Sequence, residues 1–200
     1  MDKDLEFLKN VDDKYLDGLV DVIIKYDGGS NKIKAAKEEH TKYGTPYANY
    51  IDIIIDTYLD YGNDAFATVG SGIKHSYRHI LGDVCKRFKV TYDTNKALEE
   101  NEQILLEQAL INAADDLSVD EMIDLIQCLY SKPKQTHLGD WINRFMGEFT
   151  PIPLICRVPN PPTLIDSLIA IVKDLYQEGK PALQVTIPCT LLIALYRKTV

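Results

Sequence analysis

Two hundred residues, 46% apolar and 26% charged, describe an ordinary folded chain, which excludes general disorder and a need for disulfides or metal to close a core. The net charge of −8 disfavours general nucleic-acid binding, because polyphosphate would repel the molecule. Cys85, Cys128, Cys156 and Cys189 are spaced too widely for a zinc or CxxC motif, and the acidic start MDKDLEFLKN does not read as a signal peptide, so a reducing cytoplasm is the expected compartment.

Residues 2–9, with Leu5, Phe7 and Leu8, read as a turn or two of helix. Asp12 or Asp13 is placed to cap the next helix, whose Leu16, Leu19, Val20, Ile23 and Ile24 recur at helical period before Gly28-Gly29 stops it. Residues 32–39 read as polar, exposed helix or loop. Thr45-Pro46 is a start signal for a helix that buries Ile51, Ile54, Ile55, Tyr58 and Leu59. Gly62, Gly70 and Gly72 punctuate the stretch that follows, with a short helix expected around 64–68. A longer helix is predicted over 74–89, with Tyr77, Ile80, Leu81, Val84 and Phe88 inward. Residues 90–92 read as extended, and Thr94 as the cap of a helix over 96–114 whose stripe is Leu98, Ile104 or Leu105, Leu106, Ala109 and Leu110.

Ser118-Val-Asp-Glu121 is a capping box opening a helix with Met122, Leu125, Ile126 and Leu129 on one side; Pro133 ends it. Leu138, Trp141, Ile142, Phe145 and Met146 form another amphipathic stripe. Pro151, Pro153, Pro159, Pro161 and Pro162 then deny the chain both helix and central-strand hydrogen bonding, which predicts an extended connection. Two helices follow, over 163–178 and from about 186 to 198. The sum is an all-α expectation: a compact bundle of about eight helices, with a core domain over 1–150 and, over 151–200, the proline-rich connection and a helical pair packed on the core or on a partner. The apolar run 187–196 has ten residues, half of the roughly 20 a spanning helix needs, so no transmembrane segment is expected.

Asp4-Leu-Glu-Phe-Leu8, Tyr61-Gly-Asn-Asp-Ala-Phe66, the run from Tyr77-Arg-His-Ile-Leu to Val90, and the tail Val185-Thr-Ile-Pro188 with Leu192 to Arg197 resemble, in that order, the YaaW-like family of uncharacterised bacterial proteins. The middle of the chain is similar, more weakly, to the ubiquinol–cytochrome c chaperone family. The resemblance implies a bacterial helical protein and brings no activity with it. Two departures stand out. The central loop carries Gly62-Asn63-Asp64 and Gly70-Ser71-Gly72 instead of paired glycines with an arginine. The proline-rich segment replaces the Gly/Ala-rich apolar stretch of some members, so their membrane association is not carried over.

His75, His79 and Asp83 share one helix face and form the candidate metal set. Three side chains spread along some 12 Å of axis strain to reach one ion, and Ser76 stands where a metalloprotease helix needs glutamate; a solvated face is the plainer reading. Gly70, Gly72, Lys74, Arg78, Lys86 and Arg87 form the basic concentration, a candidate anion or partner-binding region at a glycine loop before a helix. The stretch from Glu99 to Asp124 is purely acidic. Tyr43, Tyr47 and Tyr50 are the candidate partner surface. Cys85 lies near Lys86, Arg87 and His79, which lowers a thiol pKa if it is exposed, but its neighbours Leu81, Val84 and Phe88 argue instead for partial burial. No catalytic set converges, and no cofactor is implied. The leading expectation is a non-enzymatic module that binds another protein, as an adaptor, chaperone-like factor or regulatory subunit. The alternatives are a metal- or phosphate-handling enzyme centred on 70–83, and peripheral membrane contact through 163–200.

Overall fold

In the computed structural model, which describes residues 2–27, 30–66, 76–113 and 181–198, the first element is a 3-10 helix, Lys3–Asn10. The Asp2 carboxylate accepts from the Asp4 backbone N–H and caps it, and Leu5 and Leu8 are buried. Helix α1, Asp13–Asp27, follows. Asp12 caps it by accepting from the Lys14 N–H at 3.0 Å, and the predicted stripe is inward, with Leu16, Leu19, Val20 and Ile23 buried and Ile24 half-buried. Helix α2, Asn31–Tyr43, is capped by Ser30 and ended by Gly44 in the left-handed region at φ 66°, a conformation that glycine takes without steric cost. Only Ile33 and Ala36 of α2 are buried, as its polar sequence foretells.

The Thr45-Pro46 signal opens a 3-10 turn, Tyr47–Tyr50, that runs straight into α3, Ile51–Phe66. Pro46 occupies the cap position without a side-chain hydrogen bond, so proline, and not threonine, sets the start. Gly62 lies within α3, not in a turn. A Cβ there would stand 2.2 Å from Ile80 Cδ1, so the glycine serves the close approach of two helices. Helix α4, Tyr77–Arg87, buries Tyr77, Ile80, Leu81, Val84 and Cys85. It ends through Lys89 at φ 59°, with the Val90 N–H donating to the Cys85 carbonyl at 2.9 Å.

Helix α5, Leu98–Ala113, begins two residues later than predicted, and Thr94 lies in the preceding turn. That turn is tied down by Asn101, 2% exposed. Its amide donates to the carbonyls of Asp93 (2.9 Å) and Ala97 (3.2 Å), while its oxygen accepts from the Asp93 N–H. Leu105, not Ile104, takes the buried position. Helix α6, Pro181–Tyr196, starts earlier than predicted and carries Pro188 in its interior. It packs on α1, α3, α4 and α5, and every residue from Val185 to Tyr196 is buried.

An interior proline costs about 3 kcal/mol. Burial of Leu183, Val185, Ile187, Leu191, Leu192, Ile193 and Leu195, at roughly 2 kcal/mol each, outweighs it several-fold. The fold is all-α: among the described residues there are six α-helices and two 3-10 helices, and no strand. The short helix expected around 64–68 is partly the end of α3. The Gly28-Gly29 stop, the capping box, the stripes at 122–129 and 138–146, the proline-rich connection and the helix over 163–178 lie outside the described residues.

Candidate functional site

The apolar stripe of α5 is interrupted where Leu98 and Leu105 are separated by Asn101 and Glu102. Helical periodicity therefore sends two polar side chains inward. Glu102 is 1% exposed. Two groups answer it. The Tyr77 hydroxyl, from the first turn of α4, donates to Glu102 Oε1 at 2.6 Å. Arg197, one residue beyond α6, donates through Nε, 2.8 Å from Oε2 and 3.1 Å from Oε1. The second arm of the guanidinium is used elsewhere: Arg197 Nη2 donates to the Asp4 carbonyl at 2.6 Å, and the group lies 4.0 Å over the Phe7 ring.

Arg197 thus joins a buried carboxyl on α5 to the first 3-10 helix. That helix is held to α4 as well. The Asp2 carboxylate accepts from the Tyr77 N–H at 2.7 Å, and the Asp4 carboxylate accepts from Arg78 Nε and Nη2 at 2.9 and 3.1 Å. Burial pushes the Glu102 carboxyl up to about 7, against the opposing pull of Arg197 and Tyr77. Burial also lowers the Lys198 ammonium, against the attraction of Glu102, Glu107 and Glu99, and holds the Tyr77 phenol well above its ordinary range. Tyr58, at the same level on α3, has its hydroxyl 2.9 Å from Thr190 Oγ1.

A second polar cluster fastens α2 and the 3-10 turn to α1. Asp17 accepts from Lys37 Nζ and from the Tyr47 hydroxyl, each at 2.6 Å. Lys37 also reaches Asp21 at 2.9 Å, Asp13 accepts from the Tyr47 N–H, and His40 stacks on the Tyr47 ring at 4.1 Å. Burial raises the Asp17 carboxyl, but the hydrogen bonds from Lys37 and Tyr47 outweigh it, and the group lies below its ordinary value.

The sequence candidates distribute as follows. Of the tyrosines, Tyr43 is 69% exposed and Tyr50 is half-buried with its hydroxyl on Glu39. Tyr47 is fully buried, so it belongs to the α1 latch and not to a surface. Of the basic set, Gly70, Gly72 and Lys74 lie outside the described residues. Arg78 is engaged by Asp4, and Lys86 pairs with Asp83 at 2.6 Å; Arg87 is half-buried. His75 also lies outside the described residues. His79 is exposed, with Nδ1 2.9 Å from Ser76 Oγ. Among the described residues no three His, Cys, Asp or Glu side chains are grouped to hold a metal ion. Cys85 is fully buried, as its apolar neighbours Leu81, Val84 and Phe88 predict, and burial pushes its thiol up to about 12. Sequence reasoning missed Asp2, Asp4, Glu102 and Arg197. The break in the α5 stripe was the signal for Glu102; nothing local marks its partners.

No family profile matches the chain, and no solved structure matches it. It is similar to two proteins of Helicobacter pylori, each named "UPF0174 protein", from an uncharacterised family. With that of strain J99 it is 32% identical over 126 residues, covering 62% of this chain and 48% of the relative. With that of strain 26695 it is 31% identical over 87 residues, covering 44% and 42%. The chain spans about half the length of the curated relatives it matches. No helix among the described residues is long and apolar enough to cross a membrane.

Proposed function

We propose that this chain is a non-enzymatic helical module that works by binding another protein in a bacterial cytoplasm, as an adaptor, chaperone-like factor or regulatory subunit. The observation that carries the reading is the use of its perturbed ionisable groups. Glu102 is held by Tyr77 and by Arg197, which also reaches a backbone carbonyl, and Asp17 on α1 is held by Lys37 and Tyr47. Catalytic sites hold such groups open toward a substrate; here they fasten helices together. Tyr43 and Ile111 are the large apolar side chains that the described surface exposes, and they are the first choice for partner contact.

The kinship with YaaW-like proteins, the weaker one with the ubiquinol–cytochrome c chaperones, and the division into a core over 1–150 and an appended 151–200 belong to the same proposal. Its test is capture of the tagged protein from its native bacterium, with Tyr43→Ala and Ile111→Ala variants in parallel. The expected result is a single partner, recovered reciprocally, whose yield falls at least tenfold with a variant that melts like the parent. No such partner, together with phosphate or zinc shifting the NMR signals of residues 70–83, would replace this reading by the metal- or phosphate-handling one. Flotation with anionic liposomes that needs residues 163–200 would replace it by peripheral membrane contact. Burial of α6 on four helices argues for the core as the place of residues 181–196.

A further inference from the structure

We draw no further inference here: the strongest candidate, the stripe of exposed aspartates Asp52, Asp56, Asp60 and Asp64 along one face of α3, is a cluster of acidic side chains, and nothing among the described residues shows what binds or covers it.

Discussion

Gly62→Ala is a sensitive probe of this fold because two effects of opposite sign meet at one atom. An alanine in a helix interior is better than glycine by about 1 kcal/mol. At Gly62, however, the new Cβ would lie 2.2 Å from Ile80 Cδ1, 2.7 Å from Cγ1 and 3.3 Å from Cγ2. Ile80 is fully buried, and its branched Cβ makes χ1 stiff. Relief requires an off-rotamer isoleucine or separation of α4 from α3, an overpacking cost of roughly 1–3 kcal/mol. The expected balance is a loss of about 1 kcal/mol, read as a lower urea midpoint by far-UV circular dichroism. The sign should reverse on removing the obstacle. In an Ile80→Ala background, itself costing about 3 kcal/mol, Gly62→Ala should stabilise by about 1 kcal/mol or more. Stabilisation by Gly62→Ala in the parent would refute the close approach of α3 and α4.

Further outcomes follow from the polar clusters and the end of α4. Arg197→Met removes the charged donor of Glu102, whose carboxyl burial holds near 7; the loss should be about 3 kcal/mol at pH 8, where the guanidinium stabilises the carboxylate, and about 1 kcal/mol at pH 5, where the acid holds its proton. The same raised carboxyl makes the parent chain's share of stability from Glu102 complete below its ordinary value of 4.5 and lost as pH rises through about 7, a change of about 3 kcal/mol that Glu102→Gln abolishes in denaturant titrations across that range. Asp17→Asn should cost about 1–2 kcal/mol at pH 7 by loosening Lys37 and Tyr47. Since Asp17 lies below its ordinary value of 3.8, the difference from the parent should shrink as pH falls through that range. Lys89→Gly relieves the left-handed backbone at φ 59° and should raise stability by about 1 kcal/mol in the same melts; no gain would mean that the Lys89 side chain makes good the strain.

These residues also mark the limit of what a linear reading reaches. The stripes of α1, α3 and α4 were legible because a helix repeats every 3.6 residues, and Leu16, Leu19, Ile54, Tyr58, Ile80 and Val84 obey that period whatever they pack against. The same reading placed a helix from about 186 to 198, where α6 runs from Pro181 to Tyr196, but gave it neither its early start nor its surroundings. Apolar on all sides, it shows no stripe, and its Pro188 argues against a helix when only local cost is weighed. Its central position follows from having α1, α3, α4 and α5 around it, an enclosure that offsets the proline and that no short window contains. Gly62 misled for a related reason: a residue without a side chain signals a turn or a close approach equally well, and Ile80 decides between them.

The polar clusters divide in the same way. By itself the sequence held one signal for Glu102, the break in the α5 stripe between Leu98 and Leu105, which a reading of the acidic run as a whole passes over. Tertiary structure alone decided what Glu102 meets, because Tyr77, Arg197 and Asp4 come from segments 25, 95 and 98 positions away. Periodicity is a property of neighbours along the chain, whereas the pairing of a buried charge depends on which distant surface seals it from water.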